Sequence, residues 1–327
     1  MYGLFCQTHR LKVVEFTPIG NDAGTQMLWR NPKDFNVKSG EYVFIKLPWL
    51  HEGGDEWHPF SIYLREATKD GLNEIHQSHS KNKICNAEVG NQTLSQFTEM
   101  ILNTEFNHEQ NPNNMLLNEA RENLRYDTTQ VFISPIGNWT KGLLEQVQGR
   151  KQLQSCWVKG PFTSPYFVAH DYGHFVMTAS GIGITPALGV MAQYPGFSRT
   201  KILVWCTRSK SMLKFFAPLL GDAHLSVVFY TGKEKLTPHE LTTIQSHGNI
   251  FVQQKRADSM TDTIESLIVQ FENNTNDNHV FSLKGVDASH KKPWCVLYCG
   301  GSKRLRDQMK EFTEENGIGW ECELFNW

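Results

Sequence analysis

The chain has 327 residues, enough for about two domains with a substantial hydrophobic core. Its 32 Lys and Arg residues nearly balance 34 Asp and Glu residues, and the net charge of -2 argues against a polybasic nucleic-acid-binding protein. A hydrophobic fraction of 39% excludes a disordered chain, and seven cysteines at this length favour a reducing compartment over a disulfide scaffold.

Short β-branched and aromatic runs, bounded by Gly, Pro, Asn or Asp, recur through residues 1–170. Such runs predict strands, and their number and spacing indicate a small closed barrel. The predicted strands are Leu11–Phe16, Gln26–Trp29, Glu41–Leu47, Ser61–Leu64, Val131–Ser134 and Cys156–Lys159.

Residues 66–128 interrupt this pattern because they are rich in Asn, Gln, His and Ser. Only Ser95–Leu102 and Met115–Leu124 have weak helical character. A long polar segment within a compact domain predicts a surface insertion.

From residue 171 onwards, strands alternate with helical segments, which predicts a parallel sheet and a domain boundary between residues 170 and 171. The predicted strands are Phe175–Thr178, Ile202–Cys206, Ser226–Tyr230, Ile250–Gln253, Trp294–Cys299 and Trp320–Phe325.

Two segments of this second half carry apolar residues at helical spacing. The two stripes are Ile264, Leu267, Ile268 and Phe271, and then Leu305, Met309 and Phe312. Ser302 is the predicted N-cap of the second helix, and Gly317 is the residue that ends it.

The strand that ends at Thr178 leads into Gly181-Ile-Gly183-Ile-Thr185-Pro186 and a short helix. The two glycines allow a sharp turn and a close approach of the backbone to a pyrophosphate. Thr185 is the expected helix cap, and Pro186 suits the first helical position. The loop therefore predicts a nucleotide site at the helix N-terminus; the alternative is an ordinary glycine-containing strand-to-helix turn.

The residues after two later strands bear on which nucleotide binds. In an NAD-binding site an acidic residue follows the second strand, whereas Ile202–Cys206 is followed by Thr207-Arg208-Ser209. Arg208, with Arg256 after a further strand, predicts selectivity for NADPH through the 2′-phosphate. The alternative is that both are ordinary exposed arginines at strand ends.

Seven short motifs in the chain resemble those of the ferric reductase and NADPH oxidase family, in the same order and over nearly the whole chain outside residues 66–128. The resemblance rests on His58-Pro59-Phe60-Ser61, Gly137-Asn138-Trp139-Thr140-Lys141-Gly142-Leu143, Gly160-Pro161-Phe162, the Gly181–Pro186 loop, Trp205-Cys206-Thr207-Arg208, Tyr230-Thr231-Gly232 and Tyr298-Cys299-Gly300-Gly301.

The resemblance implies a ferredoxin-reductase-like fold: an antiparallel FAD-binding β-barrel over residues 1–170, with 66–128 inserted, and an NADPH-binding parallel α/β domain over 171–327. It implies FAD contacts from His58, Pro59, Phe60, Ser61, Gly137, Trp139, Thr140, Gly160, Pro161 and Phe162. NADPH contacts are implied for Gly181, Gly183, Thr185, Pro186, Arg208, Arg256, Cys299 and Gly300.

Three residues are expected at the reacting rings. Ser61 can present its hydroxyl to flavin N5, Cys299 resembles the family cysteine near the nicotinamide, and Trp327 resembles the terminal aromatic that lies on the isoalloxazine and moves aside. The alternatives are a half-buried strand serine, an inert buried thiol and a core tryptophan. Ser134 stands where the family has an arginine at the FAD pyrophosphate, and Gly301 replaces the usual proline.

The implied function is hydride transfer from NADPH to FAD, followed by transfer of single electrons to a haem-bearing transmembrane domain for reduction of ferric iron. Such a flavoprotein would lie at the cytosolic face of a membrane within its parent protein, and the chain itself is expected to be soluble. No metal site and no nucleic-acid partner are predicted. Two alternatives stay open: the dehydrogenase part of a superoxide-producing NADPH oxidase, and a non-catalytic flavin- or nucleotide-binding regulatory module that docks a partner through residues 66–128.

Overall fold

The computed structural model describes residues 7–51, 53–65, 93–105, 128–148, 150–193, 200–256, 260–278 and 292–324. These residues form a seven-stranded antiparallel sheet followed by a six-stranded parallel sheet with helices. The predicted order of a barrel-like sheet and then an α/β unit is confirmed. Among the described helices, none is both long and apolar enough to cross a membrane.

The first sheet has the strand order β4-β3-β7-β1-β2-β6-β5, which puts two strands that are consecutive in the chain at its opposite edges. Its strands are β1 Gln7–Ile19, β2 Gly24–Arg30, β3 Glu41–Lys46, β4 His58–Ser61, β5 Tyr63–Arg65, β6 Thr128–Ile133 and β7 Gln152–Thr163.

A single residue, Ile62, joins the two edges of this sheet, so the sheet curls towards a barrel. The Ile62 amide donates a hydrogen bond of 3.2 Å to the Glu41 carbonyl, and its side chain is fully buried. The predicted strand Ser61–Leu64 is therefore two strands that turn at Ile62.

The interior of the barrel is filled by the inward-facing residues of the strands, which alternate with exposed ones. Helix α2, Asn138–Val147, closes one end of the barrel by burying Trp139, Leu143 and Val147. The core that results includes Val14, Phe16, Met27, Val43, Ile45, Phe60, Ile62, Val131 and Val158.

The second sheet has the order β11-β10-β9-β8-β12-β13, and all its pairs are parallel. Every residue of β10 is buried, as expected for a parallel strand covered by helices on both faces. The strands are β8 Tyr172–Ser180, β9 Thr200–Thr207, β10 Leu225–Tyr230, β11 Ile250–Gln253, β12 Lys292–Gly300 and β13 Gly319–Leu324. The helices are α3 Ile184–Gln193, α4 Lys210–Leu220, α5 Pro238–Gln245, α6 Met260–Asn278 and α7 Lys303–Glu315.

The predicted ends of α7 are confirmed. The Ser302 hydroxyl accepts a hydrogen bond of 3.3 Å from the Leu305 amide, which is the interaction of an N-cap. Gly317 directly follows the C-cap residue, Asn316, in the left-handed conformation that ends many helices.

Part of the predicted surface insertion packs into the core beside the second sheet. Residues Leu94–Glu105 form helix α1, and Phe97, Ile101 and Leu102 are buried against residues of β11 and α6. The ring of Phe97 lies 5.4 Å from that of Phe251. The surface prediction was wrong for this helix because its few apolar residues all lie on one face. The predicted helical portion Met115–Leu124 lies outside the described residues.

The two sheets contact each other through a shared apolar cluster. Ile19, Ala23, Tyr63 and Phe132 of the first half belong to the same buried cluster as helices α3 and α4. The Phe132 ring meets the Phe216 ring edge-on at 5.0 Å between centroids. The first sheet ends at Thr163 and the second begins at Tyr172, with a 3₁₀ helix, Pro165–Asp171, between them. The domain boundary between residues 170 and 171 stays a prediction.

We predict that Phe97→Ala lowers the free energy of unfolding by about 3–5 kcal/mol, since it leaves a cavity in the core between α1 and the second sheet. Glu99→Ala, at an exposed position of the same helix, is the matched control and should change stability by no more than about 0.5 kcal/mol. Urea unfolding of both variants measures the effect. Equal stability of the two variants would show that α1 does not dock.

Candidate functional site

A cavity among the described residues lies at the carboxyl ends of the parallel strands and has a volume of about 770 Å³. It lies where the order in which the chain adds strands to the sheet reverses, because β9 lies on one side of β8 and β12 on the other. Ligands of open α/β sheets bind at such switch points. The wall is formed mainly by Ser180, Gly181, Thr207, Arg208, Thr231, Arg256, Gly301, Ser302, Arg304 and Gln308, with Ser134 and Ile136 from the first half.

The predicted glycine loop forms the middle of this wall. Gly181–Gly183 make one 3₁₀ turn between β8 and α3, and the Trp205 indole N–H donates a 2.8 Å hydrogen bond to the Gly181 carbonyl. A Cβ atom at Gly183 would collide with the Cys299 carbonyl at the end of β12. Glycine is therefore required at position 183 by the contact between the loop and β12, whereas Gly181 is the residue with a positive φ, of 55°.

Thr185 and Pro186 lie two residues deeper in the helix than the sequence suggested. Helix α3 begins at Ile184, directly after the 3₁₀ turn, so Pro186 is not its first residue. The Thr185 hydroxyl donates to the Ile182 carbonyl at 3.1 Å and does not cap an amide of the helix. Both side chains are buried. The prediction of Thr185 as the cap was wrong because the preceding glycines are themselves helical.

Three arginines line the cavity, two of which the sequence identified. Arg208 follows β9, Arg256 follows β11, and both side chains are exposed at the cavity. The third, Arg304, lies in the first turn of α7 and was missed. The only sequence signal for Arg304 was its place two residues after the predicted cap Ser302, beside the family motif that ends at Gly301.

The side chains of the predicted FAD motif, residues 58–61, lie on two opposite faces of strand β4. His58 and Phe60 point to Trp139, with ring centroids 4.4 and 5.8 Å away, and Phe60 and Trp139 belong to the barrel core. Pro59 and Ser61 point the other way, since side chains alternate along a strand. The structure thus brings His58, Phe60 and Trp139 together and separates them from Pro59 and Ser61.

Ser61 shares its face of the sheet with the predicted Phe162 and with Tyr42 and Phe44, two aromatic residues that sequence reasoning missed. Tyr42 pairs with Ser61 on one side and with Phe162 on the other, and directly opposed residues share a face. The Tyr42 and Phe162 rings stack at 5.3 Å, and Phe44 meets Phe162 edge-on at 5.3 Å. All three rings are partly exposed. Gly160 and Pro161, which are joined by a cis peptide, directly precede Phe162 in β7.

Two polar atoms of the predicted FAD residues are buried and lack a hydrogen-bond partner within the described ranges, namely Ser61 Oγ on one face of β4 and Trp139 Nε1 on the other. A buried hydroxyl or indole N–H without a partner costs free energy, so such groups usually meet a ligand or water. At the start of α2, the Gly137 amide donates to the Thr140 hydroxyl at 3.0 Å, and that hydroxyl donates to the Gly137 carbonyl at 3.0 Å. The residues present therefore fit a flavin: a half-exposed aromatic surface lies beside an unpaired hydroxyl, and a helix N-terminus lies nearby.

The predicted residue Cys299 is fully buried and does not line the cavity. Its register partner on β13 is Glu323, and the Tyr166 hydroxyl interacts with its thiol. Burial, reinforced by Glu323, raises the pKa of Cys299 well above its usual value, so the thiol is neutral. Gly300, next along the strand, packs against Ser180 so closely that a Cβ atom would overlap the serine hydroxyl. The predicted Trp327 lies outside the described residues.

Glu323 was not identified from the sequence, although it is the most perturbed carboxyl group beside these residues. Burial raises its pKa from 4.5 to about 7. Its Oε2 atom is buried and has no hydrogen-bond partner in the part of the chain that the structure describes. The fully buried Tyr166 hydroxyl is close enough for the Glu323 charge to raise the tyrosine pKa as well.

No protein-family model and no curated protein sequence matches the chain. Solved structures do match. The ferredoxin reductase in carbazole 1,9a-dioxygenase is 10% identical over 99% of this chain and 71% of its own length, with a TM-score of 0.55. Full-length CYP116B46 from Tepidiphilus thermophilus is 12% identical over 98% of this chain and 29% of its own length, with a TM-score of 0.50. At such identities the likeness establishes the fold, which is the predicted ferredoxin-reductase-like one.

We predict that Glu323→Gln removes a pH dependence of stability. The folded-state pKa of about 7 exceeds the reference 4.5, so the folded chain holds the proton more tightly, and the wild type loses stability as pH rises through this interval. The loss is at most about 3 kcal/mol. Urea unfolding at pH 5 and pH 8 should show the wild type falling relative to Glu323→Gln; parallel profiles for both proteins would contradict the prediction.

Proposed function

We propose that the chain is an NADPH-dependent flavoprotein oxidoreductase that passes electrons singly to a partner. The observation that carries the proposal is the cavity at the switch point of the parallel sheet, in which the glycine loop and two predicted arginines meet residues of the barrel half. The name of one matched structure, a ferredoxin reductase, agrees with this chemistry.

NADPH binds, in this proposal, with its phosphates in the cavity. The Gly181–Gly183 turn offers backbone at close range, and the N-terminus of α3 favours negative charge. Arg208 and Arg256 line the same wall, and a guanidinium group can form paired hydrogen bonds with a phosphate. These two arginines provide the preference for the 2′-phosphate, since the described wall carries no carboxylate to accept a ribose hydroxyl.

FAD binds, in this proposal, across the outer face of β4, β3 and β7 and the start of α2. Tyr42 and Phe162 offer ring surface, and the unpaired Ser61 Oγ offers a hydrogen bond to the flavin ring. The Gly137–Thr140 turn starts a helix whose N-terminus suits the FAD diphosphate. Ser134, at the neighbouring edge of the cavity, adds no charge there.

When both are bound, the nicotinamide supplies a hydride, and the flavin accepts it and releases electrons one at a time. The chain positions the two rings and controls their surroundings. Cys299 lies behind the cavity wall as a neutral thiol, because burial and Glu323 hold its pKa well above the usual range. The role of Trp327 as the terminal aromatic at the flavin, which the family resemblance implies, stays a prediction.

For the acceptor, we propose a haem-bearing transmembrane domain and, beyond it, ferric iron. This part of the proposal rests on the order of the sequence motifs and on the terminal tryptophan. The chain spans 29% of the length of CYP116B46 from Tepidiphilus thermophilus. In this proposal the membrane partner is not part of the 327 residues. Reduction of a ferric chelate without superoxide release, measured in membranes that hold the parent protein, supports this acceptor; superoxide as the main product supports the NADPH oxidase alternative.

We predict that the purified chain, titrated with FAD and then with anaerobic NADPH, loses its flavin absorbance. Ser61→Ala should slow this bleaching about tenfold, the equivalent of one hydrogen bond, and should leave the stability of the flavin-free chain unchanged because Ser61 Oγ has no partner to lose within the described ranges.

Ser164→Ala is the matched control for this test. Its hydroxyl is buried and donates to the Gly40 carbonyl at 2.7 Å, so the variant should lose stability and keep the bleaching rate. A chain that binds FAD without bleaching would favour the regulatory module and refute the oxidoreductase.

We predict that Arg208→Ala raises the KM for NADPH by about 10- to 100-fold, since one charge-assisted hydrogen bond contributes about 1.5–3 kcal/mol. The KM for NADH should change little. Arg150→Ala, an exposed arginine outside the cavity wall, controls for the loss of one positive charge. An equal loss for both nucleotides would refute the assignment of Arg208 to the 2′-phosphate.

A further inference from the structure

Arg304 lies on the opposite side of the glycine loop from the two predicted arginines. It follows β12, whereas Arg208 follows β9, and these strands flank β8 in the sheet. Neighbouring strands are about 4.8 Å apart, so β9 and β12 are separated by roughly 10 Å. The cavity therefore has positive charge at two places, with the backbone of the glycine loop between them.

The first turn of α7, which carries Arg304, is fixed tightly against the glycine loop. The Tyr298 hydroxyl donates to the Ser302 carbonyl at 3.0 Å and accepts from the Ser302 amide at 3.1 Å. The same hydroxyl lies 3.4 Å from Ser180 Oγ, at the end of β8. The start of α7 and the start of the loop are thus held by one side chain.

Two close contacts fix the same region, one with a backbone carbonyl and one with a serine side chain. Gly183 meets the Cys299 carbonyl and Gly300 meets Ser180 with no space for a Cβ atom. Because Gly300 and Gly183 pack closely between β12 and the loop, the backbone at the start of α7 is held in place. Arg304 extends from this backbone to the cavity wall. An arginine at this position is well suited to a diphosphate group, whose oxygens accept its paired N–H donors.

We propose that the cavity holds two separate phosphate subsites and that Arg304 positions the diphosphate of the nucleotide. Arg208 and Arg256 hold the phosphate on the adenosine ribose, on the far side of the glycine loop. This inference rests on the proposed function, since it takes the ligand to be NADPH. It makes Arg304 a binding residue common to both nicotinamide nucleotides, whereas Arg208 discriminates between them.

Two nucleotide fragments separate the subsites when their binding to the full chain is measured by calorimetry. Adenosine 2′-monophosphate carries only the ribose phosphate, and ADP-ribose carries only the diphosphate. Arg304→Ala should weaken ADP-ribose about 10- to 100-fold and leave adenosine 2′-monophosphate within about twofold. Arg208→Ala should show the reverse pattern.

Lys303→Ala is the matched control, because Lys303 is the exposed neighbour of Arg304 that does not line the cavity. It removes the same charge from the same helix turn and should alter neither affinity by more than about twofold. Arg304→Lys, which keeps the charge and loses the paired donors, should bind ADP-ribose with intermediate affinity. Thermal unfolding of each variant establishes that it folds.

The outcomes distinguish this inference from the proposed function. If the wild-type chain binds neither fragment, the nucleotide site itself is refuted and the inference with it. If the wild type binds both and Arg304→Ala weakens both equally, weakens only adenosine 2′-monophosphate, or weakens neither, the two-subsite assignment is overturned while the nucleotide site stands. Selective loss of ADP-ribose supports it.

Discussion

The cavity depends on one close contact, that between the glycine loop after β8 and the end of β12. Gly183 and Gly300 allow the two backbones to meet, and the Tyr298 hydroxyl holds the start of α7 to both. Side chains larger than hydrogen at either glycine would force these segments apart. The contact at Gly183 is with the backbone of Cys299 and the contact at Gly300 is with the Ser180 side chain, and both lie beside the part of the wall that carries Arg304. The separation of Arg208 from Arg304 follows from the strand order.

A second constraint brings the barrel half to this wall. Apolar residues of β1, β5 and β6 share a buried cluster with α3 and α4, and Phe132 packs on Phe216 at its centre. Burying this much apolar surface is favourable and holds the halves together. Ser134 lies two residues after Phe132, so the same packing places Ser134 at the edge of the cavity. The buried residue Ile62 is the single link between β4 and β5, and it joins the two edges of the first sheet.

Burial also governs the chemistry of the groups behind the cavity wall. Cys299, Glu323 and Tyr166 lie close together with little solvent, and each has its pKa raised because its charged form is disfavoured. The thiol and the phenol stay neutral, and the Glu323 carboxyl, with a pKa of about 7, is only partly ionised at neutral pH. The arginines on the wall supply the positive charge of the cavity, which suits an anionic ligand.

The sequence by itself determined the succession of a strand-rich half and an alternating half, the glycine turn, the ends of α7 and the two arginines at strand ends. These depend on local periodicity and turn chemistry, which a short segment carries without its partners. Only the tertiary structure decided that Ser61–Leu64 breaks at Ile62, that Phe97 docks α1 beside α6, and that Arg304 faces the cavity. The tertiary structure also decided that Tyr42 lies beside Ser61 and that Glu323 is buried. Each of these features depends on contacts between segments far apart in the chain, which a local sequence pattern does not encode.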